Sequence, residues 1–463
     1  MPELYAHQLE GARLLVENPR YALFWEMGCG KTGTVLSAIK HLHQRGEASR
    51  VLVVCPLSII NPAWRKDAGL FAPGLTVASW HDKLPRWSKA PRFGEANINI
   101  INFESFRKIA EDKSVWDMLV VDESSKMKDP RSKISKALRA FAHRVRRVVL
   151  LSGTPAPNDP LEYWAQIYAI DPEVLGSSYY AFRYHYGKAK RLYLGSRYVD
   201  QYSADPKKVP AMLERIATVS HTLRKADCMD LPDKVDEIME VDLSADERKA
   251  YETMQRDLIL RFDDGDATAD NVLAEAMKLR QIANGWCYDT QHKPKIIGRS
   301  KINALIDVLD QINSQAVIWI EFREDADRIK HLLGERACCL VGGMSEQCRA
   351  EAIEAFTSGK CRYLVAHPQS AGHGLTFVNA HYAIFYGLGY SFEQHQQARD
   401  RIHRIGQRSK CTYLYLLSKG TVEEDILDVV RGKRSLHEMA MEFLSKGKET
   451  KRESRREAVA PGR

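Results

Sequence analysis

Short, largely apolar runs recur along the first third of the chain: Tyr21 to Trp25, Val51 to Cys55, Ile98 to Ile101, Met118 to Val121 and Arg147 to Leu151. Runs of this length without polar alternation mark strands buried on both faces, and segments of helical periodicity separate them. The pattern predicts a parallel sheet with crossover helices. It loosens between Asp159 and Pro232, then resumes with strands near Val317 to Ile320, Cys338 to Val341, Tyr363 to Ala366, Ala383 to Tyr386 and Thr412 to Leu417. The fold class is therefore α/β, with two lobes, each a mainly parallel sheet flanked by helices.

Punctuation sets the boundaries. Leu223 to Asp227 and Leu231-Pro232-Asp233-Lys234 combine proline and charge, which suits an exposed crossing between lobes. Ser244-Ala245-Asp246-Glu247 has capping-box spacing and opens a helix running toward Phe262; a further helix carries Met277 to Ile282. Thr421 to Ile426 opens a last helix, expected to reach about Leu444, ahead of a polar tail. The expected division is 1–230, with an insertion at about 176–210, then 231–430, then a terminal helix and basic tail over 431–463.

Composition narrows the class. At 463 residues the chain is too long for one core, and 44% hydrophobic with 28% charged residues is ordinary for a soluble protein. No run approaches the length of a membrane span and the N-terminus lacks the shape of a signal peptide. Nine scattered cysteines without a C-x-x-C pair fit neither a zinc site nor a disulfide framework, so reduced thiols in a cytoplasm-like compartment are expected. The net charge is +8, of which about +5 lies in Arg431 to Arg463, so any nucleic-acid track on the body must be local.

The candidate chemistry starts at Glu26-Met27-Gly28-Cys29-Gly30-Lys31-Thr32, between an apolar strand and a helix. A glycine turn feeding a helix N-terminus with Lys-Thr is a phosphate cradle: backbone amides and the helix dipole face the phosphates, Lys31 adds charge and Thr32 offers a hydroxyl to Mg²⁺. The usual pattern has a further glycine five positions before Gly30, where this chain has Trp25. Upstream, the Gln8 amide can read an adenine edge. In parallel sheets functional residues sit at C-terminal strand ends, and Asp122-Glu123-Ser124-Ser125 and Ser152-Gly153-Thr154-Pro155 fall there. Asp122 would hold Mg²⁺ through water and Glu123 would orient and deprotonate an attacking water, a Walker B arrangement. In the second lobe, Arg401 and Arg404 would share one helix face, pointing at a γ-phosphate. The Tyr179 to Tyr198 stretch interleaves rings with cations, and two readings stay open: base stacking with phosphate neutralisation, or tyrosines packed on the lobe with basic tips outward.

Taken in order, these motifs resemble the Swi/Snf-type branch of the superfamily 2 helicase-like ATPases over residues 1 to 430, in a compact bacterial or phage form. His7-Gln8-x-x-Gly11 is similar to the adenine-side motif, Glu26 to Thr32 to motif I, Val54-Cys-Pro-Leu57 to Ia, Asn102-Phe-Glu104 to Ib, Asp122-Glu123 to II and Leu151 to Pro155 to III. Ile318 to Phe322 resembles motif IV, Gly372-x-Gly-Leu375 motif V and Arg401-x-x-Arg404-Ile-Gly-Gln407 motif VI; Leu223 to Lys225, Leu231 to Lys234 and Leu279-Arg-Gln281 resemble connecting signatures. Departures lie at Ser125, where a histidine is usual, and at His373 and Thr376-Phe377.

The resemblance implies two RecA-like lobes with ATP between them and DNA across the opposite rim. It places His7, Gln8, Gly28, Gly30, Lys31, Thr32, Gly374 and Gln397 around the nucleotide, with Mg²⁺ on Thr32 and Asp122. Lys31, Asp122, Glu123, Arg401 and Arg404 become catalytic, the two arginines as fingers on closure. Pro56, Leu57, Asn102, Phe103, Phe322, Gly372 and His373 would contact DNA. The implied activity is DNA-stimulated ATP hydrolysis with translocation on duplex or branched DNA, including branch migration, in replication, recombination or repair and with proteins of those pathways as partners. It would act in the cytoplasm of a bacterial cell or phage-infected host. Rival readings are an RNA-directed helicase, the motor of a nuclease complex and a non-catalytic ATP-bound DNA scaffold.

Overall fold

The computed structural model describes residues 2–432 except 86–87, 112–113, 195–196, 229–230, 263–268, 290, 292, 372–374 and 405. The chain divides into two compact units, the first built mainly from Met1–Arg191 and Asp200–Leu231 and the second mainly from Pro232 onward.

The first unit opens with the helix α1 (Ala6–Glu17), followed by β1 (Arg20–Trp25) and α2 (Lys31–Gln44). The strands β2 (Val51–Cys55), β3 (Val77–Ser79), β4 (Ile98–Asn102), β5 (Met118–Asp122) and β6 (Arg147–Leu151) come next. A two-stranded ribbon, β7 (Gly187–Leu194) and β8 (Arg197–Ala204), precedes β9 (Ser220–Leu223). The main sheet runs β3-β4-β2-β5-β6-β1-β9, parallel at every pairing. Every residue of β2, β4, β5 and β6 is buried, because successive side chains enter opposite cores: Leu52, Val54, Leu119 and Val121 face one, Val51, Val53, Met118 and Val120 the other. Two-sided burial is why these strands read as continuous apolar runs. The edge strands β3 and β9 are short and were not expected from such runs. In β9, Ser220 to Leu223 pair with Ala22 to Trp25 and close the sheet beside β1.

In the second unit the six-stranded sheet contains β10 (Lys234–Val241), β13 (Gln315–Trp319), β14 (Ala337–Leu340), β15 (Tyr363–Ala366), β16 (Ala380–Phe385) and β17 (Cys411–Ser418). A small antiparallel pair, β11 (Trp286–Tyr288) with β12 (Pro294–Ile296), stands apart. The order is β10-β17-β16-β13-β15-β14, again all parallel. The edge strand β10 occupies the stretch expected to be a crossing and its start. It is largely exposed and charged, so a search for apolar runs passes over it. The expected capping box forms: the Ser244 amide donates to Glu247 Oε2 at 2.8 Å and the Glu247 amide to Ser244 Oγ at 3.3 Å. The last helix is shorter than expected, Val422–Val430 rather than to about Leu444, and Gly432 follows with a left-handed φ of +72°. The rest of the expected terminal helix and tail, 433–463, lies outside the described residues. No described helix is long and apolar enough to cross a membrane, and all nine cysteines are free thiols.

A buried polar cluster ties the second unit together. Lys301, 1% exposed, donates to Glu423 Oε2 at 2.6 Å and to Asn284 Oδ1 at 2.9 Å. Asn284 and Trp286 in turn donate to the two oxygens of Asp325, each at 2.8 Å, and the Ser418 amide donates to Glu423 at 2.9 Å. Burial pulls Lys301 below the ordinary lysine range against the pull of Glu423, and pushes Asp325 up to about 7 against its two donors. Removing one partner of such a pair strands a charge. Lys301→Met is expected to cost about 3–5 kcal/mol in urea unfolding, and adding Glu423→Leu to recover most of it, because the uncompensated carboxylate is then gone.

Candidate functional site

The site is assembled at the C-terminal ends of β1, β5 and β6. β1 ends at Trp25, and Glu26 to Gly30 turn the chain into α2 with Gly28 at φ +90° and Gly30 at φ +78°. Gly30 is the N-cap of α2 and supplies no side-chain cap, so the first amides of the helix have no acceptor within it. Lys31 Nζ donates to the carbonyls of Trp25 at 2.7 Å and Glu26 at 3.2 Å, which holds the ammonium across the turn. Thr32 lies in the first turn of α2.

The start of α1 packs on this turn. His7 Nε2 lies 3.1 Å from the Cys29 carbonyl, and Gln8 Nε2 donates to the Gly30 carbonyl at 3.4 Å while Gln8 Oε1 accepts from the Tyr5 amide at 2.9 Å. A Cβ on residue 30 would stand 1.8 Å from Gln8 Nε2, and one on Gly11 2.3 Å from the Trp25 ring. Trp25, where the usual pattern has glycine, is thus packed against Gly11. Its Nε1 donates to His221 Nδ1 at 2.9 Å, which requires an unprotonated nitrogen, and burial lowers the His221 pKa accordingly. Glu26 Oε2 accepts from the amide of Lys225, so the signature at Leu223 to Lys225 serves the cradle's outer wall.

Two strands away, beyond β6, β5 ends in Asp122, and Glu123 follows at φ +58°. Among the described residues Glu123 is the one non-glycine with positive φ, a conformation that costs on the order of 1–2 kcal/mol and recurs at active sites. Asp122 and Glu123 are 7% and 8% exposed. Trp64 Nε1 donates to Asp122 Oδ2 at 2.9 Å and the Glu123 amide to Asp122 Oδ1 at 3.0 Å, which fixes the carboxylate. Ser124 Oγ donates to Gln166 Oε1 at 2.7 Å, and Gln166 Nε2 to the Pro155 carbonyl at 2.6 Å. This buried relay joins the acidic turn to the Ser152 to Pro155 turn after β6. Trp64 and Gln166 were not singled out from sequence; an indole and an amide in helical stretches give no sign of their targets.

The other expected site residues are placed as follows. Leu57 is 57% exposed and Pro56 half-buried, whereas Asn102 and Phe103 are 5% and 7% exposed. Asn102 Oδ1 caps the following turn by accepting from the Ser105 amide, and Phe103 belongs to the core. Phe322 stacks edge-on against Trp286, with the Arg280 guanidinium 5.1 Å from its ring. Gln397 lies on the helix Phe392–Arg399, 7% exposed, with its amide on Glu393. That helix ends at Arg399, so Arg401 and Arg404 lie on the succeeding turn, not on one helix face as expected. Arg401 is 4% exposed and its carbonyl accepts from the Phe377 amide; Arg404 Nη1 donates to Thr376 Oγ1 at 2.9 Å. Gly372, His373 and Gly374 lie outside the described residues.

A glycine-turn cradle at one strand end, with a buried acidic pair at another, defines a nucleotide-binding α/β unit of the P-loop class. Residues 7–286 match the SNF2-related domain and residues 300–406 the helicase conserved C-terminal domain. The chain belongs to the SNF2-related, helicase-like ATPase family. It is 25% identical over 467 residues to protein p41 of Acyrthosiphon pisum secondary endosymbiont phage 1, covering 96% of this chain and 99% of that one. It is also 25% identical to YwqA of Bacillus subtilis, named as an ATP-dependent helicase/translocase, covering 90% of this chain but 46% of YwqA. Among solved structures, the Sulfolobus solfataricus SWI2/SNF2 ATPase core in complex with dsDNA aligns at 22% identity over 94% of this chain and 92% of that one. Its TM-score of 0.45 is too low to carry an argument.

Two outcomes are expected. Gly30→Ala forces a Cβ into Gln8 and strains a positive φ, so it lowers the melting temperature and abolishes nucleotide binding; adding Gln8→Ala restores only part of the stability, since the φ strain remains. Gln166→Leu leaves the Ser124 hydroxyl and the Pro155 carbonyl without their buried partner and costs about 1–3 kcal/mol in urea unfolding. The Ser124→Ala, Gln166→Leu pair shows positive coupling in a double-mutant cycle.

Proposed function

We propose that this chain is a DNA-stimulated ATPase that translocates on duplex DNA and acts at branched structures such as forks or junctions. The observation that carries the reading is the pairing of the Gly28 to Thr32 cradle with the Asp122-Glu123 strand end in a chain of this family. The name of the B. subtilis relative points the same way. A triphosphate fits the residues present: two glycines at positive φ open the turn, Lys31 bridges it, and the Asp122 carboxylate is held at the end of β5 on the same sheet edge.

In this reading Lys31 and the first amides of α2 neutralise phosphate charge, and the turn wrapped by His7 and Gln8 reads the base. Thr32 and, through water, Asp122 hold Mg²⁺, which when bound offsets the phosphates' negative charge. Glu123, fixed by its backbone conformation, orients the attacking water and takes its proton. Arg401 and Arg404 act as arginine fingers on closure, stabilising charge that develops at the γ-phosphate. Leu57 and Pro56 from the first unit, with Phe322 from the second, hold the tracked strand. Closure and reopening then couple each turnover to a step along DNA.

Phosphate release is the measurement: purified chain with no nucleic acid, duplex, single-stranded DNA, a model fork and RNA. Duplex or fork DNA is expected to stimulate turnover most, and Lys31→Ala and Glu123→Gln each to reduce it by at least about a hundredfold. Better stimulation by RNA would replace the DNA reading with an RNA one, and full activity in both variants would sink the hydrolytic assignment.

A further inference from the structure

The helix Tyr179–Tyr186 carries four tyrosines, one phenylalanine and one histidine in eight residues, with no carboxylate. Helical geometry sorts the rings. Phe182 and Tyr186, four apart, are 2% and 7% exposed and pack into the core of the first unit. Tyr180 and Tyr184, also four apart, are 70% and 80% exposed. The inward pair anchors the helix and the outward pair stands on a rigid base, so the two readings of this stretch apply to different residues.

Between the outward rings lies Arg183. Its guanidinium sits 4.1 Å from the Tyr202 ring, 5.5 Å from Tyr180 and 5.8 Å from Tyr179, which holds it in place by cation–π contact. Among the described residues it has no salt-bridge partner. Lys208, exposed, donates to the His185 carbonyl and brings a second cation to the C-terminal end of the helix. The nearby carboxylate Asp205 is engaged by Lys188 at 3.2 Å. Two open aromatic faces among cations fit a ligand with both π-faces and phosphates. In a duplex the bases already stack on one another and hide those faces, so the ligand is unpaired.

We propose that Tyr180 and Tyr184, with Arg183 between them and Lys208 at the helix end, form a platform on which the unpaired bases of a DNA single strand stack. The platform would engage the displaced strand at a fork or junction. The choice of DNA rests on the proposed function; the stacking chemistry does not.

Fluorescence anisotropy of labelled oligo-dT, oligo-rU and a blunt duplex with the full chain tests it. Tyr180→Ala with Tyr184→Ala is expected to weaken oligo-dT binding by about thirtyfold, the loss of two stacked bases, and duplex binding far less. Tyr180→Phe with Tyr184→Phe, which keeps both rings, stays within about threefold of wild type. A double alanine variant that melts like wild type and binds oligo-dT equally well overturns the platform, as does a loss confined to oligo-rU, or a phenylalanine variant as weak as the alanine one. A wild-type chain that binds no DNA overturns the proposed function as well; DNA-stimulated turnover in a chain whose alanine variant still binds oligo-dT overturns the platform alone.

Discussion

The close approach of Gln8 to Gly30 is the constraint on which the rest of the first unit depends. The phosphate turn has to leave β1 and enter α2 within five residues, and two left-handed glycines make that reversal possible. Having no side chain at position 30, the turn accepts Gln8 directly against its backbone, and α1 is carried in with it. The start of the chain is thereby built into the same corner as the cradle. Trp25 completes the arrangement from below, seated on Gly11 and hydrogen-bonded to His221 of β9, so the large residue at a customary glycine position becomes a wedge between α1 and the sheet.

The acidic turn follows from sheet polarity. Parallel strands put all their C-terminal ends on one edge, and β1, β5 and β6 each release a polar cluster there. Such an edge has backbone groups to satisfy and little apolar cover, so side chains supply the order. Trp64 pins Asp122, and Ser124 and Gln166 pin the next turn to the residues after β6. Within that frame Glu123 is held in a backbone conformation that it would not choose alone. The surrounding bonds over-determine it, which is the condition under which strain persists at a working site.

Much of this was legible from residues alone, and the remainder was hidden for physical reasons. Doubly buried central strands announce themselves because both faces must be apolar; the edges β3, β9 and β10 do not, since one side meets solvent and half of Lys234 to Val241 is charged. The cradle and the acidic pair were readable because their chemistry is local in sequence. The relay through Gln166 and the pin from Trp64 join residues 42 and 58 positions apart, and nothing local reports such partners. Periodicity also overran a boundary: Gln394 to Gln407 looks continuous, yet the helix stops at Arg399 and the two arginines emerge on a turn. Phe377 holds the Arg401 carbonyl and Thr376 the Arg404 guanidinium, while the Gln407 amide donates to the Ala380 and Ile402 carbonyls.

The two units keep their shape by different means. In the first, apolar packing on both sheet faces supplies the rigidity, and polar bonds tie the strand ends, Arg20 and Arg147 at one edge and the acidic turn at the other. In the second, the Lys301 cluster sits inside, joining residues at 284, 301, 325 and 423 to the end of β17. Ion pairs of this kind contribute little net stability against an apolar alternative, because desolvation offsets most of the attraction. What they do supply is geometry: each donor is directed at particular acceptors, so helices far apart in sequence are held in a single register. Directional bonds across its interior therefore fix how these elements meet more tightly than an equally stable but more forgiving hydrophobic contact would.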